Sequence, residues 1–263
     1  MGDSQPRILV TNDDGFESAG LDALVAALDG AGHELLVVCP DTDRSGSGAA
    51  IGYVHPDEHV DAVQVRLPRS GHTAHALDGP PALCVFAAVL EAFGPPPDLV
   101  VSGVNPGLNT GRSTLHSGTV GAALTAANLG RSGLAVSIDA GDPQRWDTAA
   151  ELAVEALAWV LDQPERTVVN LNVPNLEPAE VAGFRVAELA PFGIVRAAVT
   201  GAAEGRLQFE LRGTTDPLPT DSDTAVVRSG HAAFSVLDGV RARPDPSLER
   251  WIAERSEPGA RAS

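Results

Sequence analysis

Over the first 174 residues, hydrophobic and polar positions alternate in the pattern of short buried strands separated by amphipathic helices. Arg7–Thr11 and Glu34–Cys39 are almost continuous apolar runs, which is typical of strands buried on both faces of a parallel sheet. One helical face with the spacing i, i+3, i+4, i+7 is formed between them by Leu21, Leu24, Val25 and Leu28. Strand, helix and strand in this order predict a βαβ unit.

The alternation continues along the chain. Buried strands are predicted at Asp98–Ser102, Leu134–Ile138 and Thr167–Val173, with a helix around Asp147–Leu161 between the last two. Residues 51–77 alternate weakly and indicate a short antiparallel excursion. The fold predicted for residues 1–174 is therefore an α/β, Rossmann-like core, in which a mostly parallel sheet carries helices on both faces.

Beyond Pro174 the pattern changes to short strands without long helices. They are predicted at Phe184–Leu189, Leu207–Arg212, Val226–Arg228 and Ala233–Leu237. We interpret residues 175–253 as a β-rich C-terminal appendage and residues 254–263 as a polar, frayed tail. Such an appendage buries little on its own, so we expect it to pack on the main domain or on a second subunit. An exposed hairpin of this kind is a candidate for exchange between protomers.

Composition and charge narrow the functional classes. The 263 residues carry a formal net charge of −17, which argues against a nucleic-acid duplex or an anionic membrane surface as a partner. All 18 basic residues are arginines, because the chain contains no lysine. P-loop NTPases and PLP enzymes depend on a lysine, so both classes become poor candidates, as do haloacid-dehalogenase-type phosphatases.

The expected location is the cytoplasm. The first predicted strand begins at about residue 7, and no apolar segment typical of a secretory signal precedes it. No stretch of the sequence approaches the roughly 18 consecutive apolar residues of a membrane-spanning helix. Cys39 and Cys84 each lie in an apolar run, which favours buried thiols over a disulfide or a metal pair.

Two adjacent carboxylates, Asp13 and Asp14, follow the first strand directly. Asn12-Asp13-Asp14-Gly15 is also a good tight turn, and taken alone the segment is explained equally well as a turn. Ser45 follows the second strand and Asn105 the third. Since the carboxyl ends of parallel strands open on one edge of a sheet, we expect these side chains to converge. Carboxylate, hydroxyl and amide oxygens are hard ligands suited to Mg²⁺ or Mn²⁺.

Three nearby segments have the composition of anion-binding loops. Arg44 and Gly46 lie after the second strand, Asn109 and Gly111 lie in a glycine- and asparagine-rich loop, and Ser117 is a natural helix N-cap. The amides of the first turn of that helix, at Gly118 and Thr119, form a candidate phosphate cradle. A flexible loop and ordinary capping are the alternatives for the first and last of these segments.

Six motifs together resemble one known family. They are Asn12-Asp13-Asp14-Gly15, Pro40-Asp41 followed by Arg44-Ser45-Gly46, Ser102-Gly103-Val104-Asn105, Asn109-Thr110-Gly111, Ser117-Gly118-Thr119-Val120 and Asn170-Leu171-Asn172-Val173-Pro174. In this order they resemble the SurE family of survival proteins, which are metal-dependent 5′-nucleotidases. The resemblance covers roughly residues 7–174, and Gly230–Leu237 looks like the closing segment of the family.

The resemblance implies a set of functional properties. One divalent metal per subunit, Mg²⁺ or Mn²⁺, would be held by Asp13, Asp14, Ser45 and Asn105. Our own leading hypothesis is metal-assisted phosphomonoester hydrolysis with Asp13 and Asp14 as the catalytic residues, Asp13 acting as nucleophile or base. The implied substrates are nucleoside 5′-monophosphates, with short polyphosphate for some members. Homodimers or homotetramers with exchanged C-terminal segments are implied as well.

Two alternatives stay open. Many relatives have an aspartate in the segment between Gly111 and Ser117, where this chain has Ser113, so a nucleotide-binding regulatory protein with weak or lost catalysis is the alternative on the same fold. A Rossmann dehydrogenase is the third hypothesis. Its G-x-G-x-x-G turn is missing after the first strand, where Asp13-Asp14-Gly15 stands instead.

Overall fold

Strands and helices follow one another as the hydrophobic pattern predicts over most of the chain. The computed structural model describes residues 5–52, 57, 59–192, 195–203, 206–213 and 217–256. The strands are β1 (Arg7–Thr11), β2 (Glu34–Pro40), β3 (Ala62–Arg66), β4 (Thr73–Leu77), β5 (Leu99–Pro106), β6 (Ser132–Ile138), β7 (Val168–Val173), β8 (Phe184–Val186), β9 (Val195–Ala203), β10 (Arg206–Gly213) and β11 (Ala232–Leu237). The helices are α1 (Ala19–Gly30), α2 (Pro81–Val89), α3 (Gly118–Asn128), α4 (Trp146–Leu161), α5 (Asp223–Arg228) and α6 (Pro246–Ser256), with 3₁₀ turns at Gly111–His116 and Pro178–Glu180.

Nine strands form the main sheet in the order β3-β4-β2-β1-β5-β6-β7-β11-β8. The run from β4 to β7 is parallel, whereas β3 pairs antiparallel with β4 and β11 antiparallel with β7. Helices α1 and α4 pack together over one hydrophobic cluster, and α2 and α3 pack together over another. The predicted α/β fold with a mostly parallel sheet is confirmed, and so is the antiparallel excursion before α2.

The order of the strands reverses between β1 and β5, which are neighbours although β2, β3 and β4 lie between them in sequence. In open α/β sheets, ligands bind in the crevice at the carboxyl ends of the strands at this point of reversal. The Asp13-Asp14 turn follows β1 and Asn105 lies near the end of β5, so both flank that crevice.

The third parallel strand is longer than predicted. We expected it to end at Ser102 and to enter a loop, but β5 continues to Pro106. A register shift between Ser102 and Asn105 brings Asn105 beside Ser137 of β6. Asn105 is therefore held by strand pairing rather than carried by a loop.

The C-terminal part differs most from the prediction. Val226–Arg228 was predicted as a strand and lies in helix α5, because Val226 and Val227 both bury against Ala187 and Ala233 as neighbouring positions of a helix. The strand predicted at Phe184–Leu189 ends at Val186.

Two of the predicted appendage strands belong to the main sheet. These are β8 and β11, while β9 and β10 form an antiparallel hairpin of their own. The division of the chain at residue 174 stays a prediction. Of the tail predicted at 254–263, the first three residues end helix α6, and residues 257–263 lie outside the described part. Among the helices described, none is long and apolar enough to cross a membrane.

Candidate functional site

The turn after β1 is closed by its own side chains and tied to the next loop. The Asn12 Nδ2 group donates to the Gly15 carbonyl oxygen at 3.0 Å. Gly15 has φ +90°, and a Cβ there would lie 3.1 Å from the backbone of Thr42, so both conformation and space favour glycine. The Arg44 amide donates to the Asp13 carbonyl oxygen at 2.7 Å. The turn therefore fixes the carboxylates and also positions the loop after β2.

Asp13 is buried and firmly oriented. Its Oδ1 accepts a hydrogen bond from the Thr119 hydroxyl at 2.6 Å, at the first turn of α3. Burial raises the pKa of Asp13, and the Thr119 hydroxyl together with backbone hydrogen bonding from Gly118 and Thr119 acts in the opposite direction. A Cβ at Gly118 would lie 2.7 Å from the Asp13 Cβ, so only glycine lets the helix start approach this carboxylate.

Asp14 is half-buried, and its Oδ2 atom has no hydrogen-bond partner in the described part of the chain. Burial raises the pKa of Asp14 to about 7, with further contributions from the charges of Asp13 and Asp43. Three carboxylates thus lie close enough to oppose the ionisation of one of them. A bound cation would relieve that repulsion and give the unpartnered oxygen a ligand role.

The other two predicted ligands differ in orientation. The Asn105 Nδ2 group donates to the Gly107 carbonyl oxygen at 2.6 Å, which leaves the Oδ1 oxygen as the group suited to a cation. Ser45 is exposed, and both its hydroxyl (2.6 Å) and its amide (2.8 Å) donate to Asp43 Oδ1. Ser45 is therefore directed to Asp43, an acid that the sequence reasoning missed although it lies in the same polar loop.

The donor set fits a hard divalent cation. Asp13, Asp14 and Asn105 offer oxygens at the reversal point of the sheet, and Asp43 adds charge beside them. Over the described residues, no group of three or more His, Cys, Asp or Glu side chains is arranged as a metal site. The predicted set contains only two such residues beside an amide and a hydroxyl, a composition that suits Mg²⁺ or Mn²⁺ better than zinc.

Arg44 is engaged by acids. Its Nη2 atom lies 2.9 Å from Asp41 Oδ1 and 2.7 Å from Asp78 Oδ1. Gly46 has φ +81° with open space where a Cβ would point. The buried Ser47 hydroxyl has no partner in the described part of the chain and lies 2.7 Å from the Cβ position of Gly118. Ser47 is thus a polar group at the site that the sequence reasoning did not single out.

The start of helix α3 interacts with the Asp13 carboxylate. The Ser117 hydroxyl accepts from the Val120 amide at 3.1 Å, which confirms Ser117 as the N-cap. The amides of Gly118 and Thr119 act on Asp13. The predicted cradle is therefore occupied in part by the protein's own anion, and the cap and the carboxylate share one helix terminus.

Asn109 and Gly111 are anchored to the sheet and to α5. The Asn109 carbonyl oxygen accepts from the side chains of Asn170 (2.8 Å) and Asn172 (3.0 Å), and its amide donates to Asn172 Oδ1 at 2.8 Å. The Gly111 amide donates to Asp223 Oδ2 at 2.7 Å. These two predicted phosphate-binding residues thus hold the shape of the loop through their backbones.

Comparisons with known proteins show the family to which the chain belongs. The sequence model of the family described as "Survival protein SurE" matches residues 8–193. The chain is 42% identical to the 5′-nucleotidase SurE of Syntrophobacter fumaroxidans over 68% of this chain and 71% of that protein. It is 38% identical to the 5′-nucleotidase SurE of Xanthomonas campestris pv. campestris (strain B100) over 94% of this chain and 95% of that protein. The crystal structure of the SurE protein from Aquifex aeolicus superposes with a TM-score of 0.74 at 27% identity, covering 96% of this chain and 100% of that one. The chain belongs to the SurE family of survival proteins.

Proposed function

We propose that this protein is a metal-dependent 5′-nucleotidase, which hydrolyses nucleoside 5′-monophosphates to nucleoside and phosphate, with short polyphosphate as a second substrate class. The observation that carries the proposal is Asp14, a half-buried carboxylate beside the buried Asp13, at the carboxyl ends of the strands where their order reverses; one of its oxygens has no hydrogen-bond partner among the described residues. The relatives named above are 5′-nucleotidases, and they lend no support to a binding protein that has lost catalysis.

Asp13, Asp14 and Asn105 would hold one Mg²⁺ or Mn²⁺ ion per subunit, with Ser45 turning from Asp43 to complete the set. When bound, such an ion neutralises phosphoryl oxygens and activates water. Asp13 is fixed by the Thr119 hydroxyl, so its carboxylate presents one orientation to the substrate. We assign Asp13 the role of nucleophile or general base, and Asp14 the role of the second carboxylate that would hold the ion at the reacting centre.

The phosphoryl group would lie against the loop after β2 and the start of α3. Gly46 leaves open space there, and the Ser47 hydroxyl is a donor without another acceptor in the described residues. Ser117, Gly118 and Thr119, at the start of α3, would line the same site. Arg44 would contact the substrate phosphate once its ion pair with Asp78 is broken. Asn109 and Gly111 would lie beside the phosphate group as further binding residues.

Phosphate release from a panel of nucleoside monophosphates and short polyphosphates tests the proposal directly. Wild-type protein is expected to hydrolyse at least the monophosphates with Mg²⁺ or Mn²⁺ and to lose activity in EDTA. Asp13→Asn is expected to lower kcat by at least about 100-fold while the circular dichroism spectrum stays unchanged, because a carboxylate and its charge are lost at the reacting centre. Asp29→Asn, at an exposed carboxylate of α1, is the control and should retain activity. A kcat of Asp13→Asn equal to that of the wild type would refute the assignment of this site.

We further propose that the protein acts in the cytoplasm as a homodimer or homotetramer with exchanged C-terminal segments. Cys39 and Cys84 are both buried free thiols, as expected of a reducing compartment. Val186 of β8 and Leu248 of α6 are 81% and 54% exposed, which leaves apolar surface for a second subunit. Light scattering on the full chain, compared with a chain ending before α6, tests the exchange: removing α6 should shift the assembly towards the monomer.

A further inference from the structure

Asp223 is a fully buried carboxylate at the start of α5, far along the sequence from every predicted site residue. It is 0% exposed and accepts hydrogen bonds from three backbone amides. Its Oδ2 accepts from Gly111 at 2.7 Å, and its Oδ1 accepts from Ala190 at 3.0 Å and from Thr224 at 2.8 Å. The neighbouring Thr224 hydroxyl donates to the Thr110 hydroxyl oxygen at 2.9 Å. The start of α5 therefore holds the Thr110–Gly111 segment by two adjacent contacts.

The segment held in this way leads directly into the site. Gly111 begins the 3₁₀ turn that ends at His116, and the next residue is the N-cap of α3. The Gly48 amide donates to the His116 carbonyl oxygen at 3.2 Å, so the same turn also supports the loop after β2. Gly111 has φ +59°, and a Cβ there would collide with the Phe192 carbonyl oxygen, so this position leaves no room for adjustment.

We propose that Asp223 is a positioning residue for the proposed nucleotidase reaction, which holds the Gly111–His116 turn so that the start of α3 and the Gly46–Ser47 loop face the substrate phosphate. The inference rests on the proposed function for its kinetic effect, but the tether itself is independent of it. A carboxylate is needed because it accepts from both sides without donating. An asparagine can satisfy Ala190 and Thr224 through its oxygen, but it then directs an N–H group against the Gly111 amide.

The test compares Asp223→Asn with a matched control. Asp22 of α1 is also a buried carboxylate, 1% exposed, that accepts from two consecutive amides, those of Arg69 and Ser70. Asp22→Asn therefore disturbs the same kind of contact at a turn that does not touch the Gly111 segment. Both variants are expected to lower Tm by about 5 °C, because each leaves a buried amide without an acceptor.

Only the Asp223 variant is expected to change the kinetics. The assay uses a nucleoside monophosphate and Mn²⁺ at a temperature well below Tm. Asp223→Asn should lower kcat/KM by at least tenfold, mainly through a higher KM, because the start of α3 and the Gly46–Ser47 loop no longer hold their positions around the substrate phosphate. Asp22→Asn should stay within twofold of wild type. Mn²⁺ binding measured by electron paramagnetic resonance should be retained in both. An unchanged kcat/KM in folded Asp223→Asn, or an equal loss in Asp22→Asn, overturns the proposal.

Hydrogen exchange separates this proposal from the proposed function. Peptides covering residues 108–117 should exchange faster in Asp223→Asn and at the wild-type rate in Asp22→Asn, whether or not nucleotides are hydrolysed. If the wild-type protein hydrolyses no nucleotide, the proposed function is refuted. If residues 108–117 of Asp223→Asn exchange at the wild-type rate, the proposed role of Asp223 in holding this segment is refuted. If Asp223→Asn does not fold, Thr224→Val replaces it: this variant loses the contacts of the hydroxyl with Thr110 (2.9 Å) and with Asp223 Oδ1 (3.5 Å), keeps the three amide hydrogen bonds to Asp223, and should lower kcat/KM by about threefold. A value within the range of Asp22→Asn overturns the proposal.

Discussion

Asp14→Asn should stabilise the metal-free protein while abolishing its activity. The pKa of Asp14 is raised from 3.8 to about 7, mainly by burial and then by the charges of Asp13 and Asp43. The folded state therefore favours the protonated form, and ionising Asp14 at higher pH costs stability. Asparagine has the same shape and no charge, so it removes this cost.

The magnitude follows from linkage between protonation and folding. At pH 8 the group is ionised in both states, and the difference between 3.8 and about 7 corresponds to about 4 kcal/mol of lost stability. At pH 5.5 it is ionised only in the unfolded chain, and the loss is about 2 kcal/mol. The advantage of Asp14→Asn should thus double between pH 5.5 and pH 8, and it should vanish below the unfolded pKa of 3.8, where both states are protonated.

Urea denaturation in EDTA at the two pH values measures this advantage. Asp29→Asn, at an exposed carboxylate, is the control and should change the free energy of unfolding by less than about 0.5 kcal/mol at either pH. In parallel samples without EDTA, Mn²⁺ at about 100 times its dissociation constant should stabilise the wild type by about 2.7 kcal/mol and leave Asp14→Asn nearly unaffected. An Asp14→Asn protein that is no more stable than wild type at pH 8, or a gain of equal size at both pH values, would refute the linkage.

Glycines at close approaches give further predictions. Gly118→Ala should lower kcat by about 100-fold with the fold retained, because the new Cβ lies 2.7 Å from that of Asp13 and displaces the carboxylate; steady-state kinetics and circular dichroism check this. Gly20→Ala places a Cβ against the Val104 carbonyl oxygen of β5 and should lower the free energy of unfolding by about 3 kcal/mol in a denaturation experiment. Gly30→Ala is its matched control in the same helix: nothing lies within 4 Å of the added Cβ, so stability should rise by about 0.5–1 kcal/mol.

The sequence predicts the strands of the parallel core closely because their apolar runs report burial on both faces directly. β1 has the predicted bounds, and the helix at Trp146–Leu161 begins one residue before the predicted start. Where burial depends on partners distant in sequence, the pattern is ambiguous. Val226 and Val227 look like a strand because valine favours strands, but a short helix buries both against β11.

The same distinction applies to the site. Asp13, Asp14 and Asn105 were predicted because each follows a strand predicted from its apolar run, and although Asn105 lies within the longer β5, the reversal between β1 and β5 brings all three to one edge. Asp223 was missed because nothing in a Thr/Asp/Pro loop marks an aspartate that folds against a segment 112 residues earlier. Ser47 was missed because a small polar loop residue becomes distinctive only when its hydroxyl is buried without a partner among the described residues.

The protein's own positive groups explain why a bound cation suits this chemistry. Arg44 is already paired with Asp41 and Asp78. The start of α3, the other positive element at the site, acts on Asp13. In a chain of net charge −17 without lysine, a phosphate that enters this crevice meets acidic side chains, and burial together with the charges of Asp13 and Asp43 already raises the pKa of Asp14. In the proposed site, a divalent ion held by Asp13 and Asp14 would reverse the sign of that field at one point, so that the two acids that repel a phosphate would become the means of binding it.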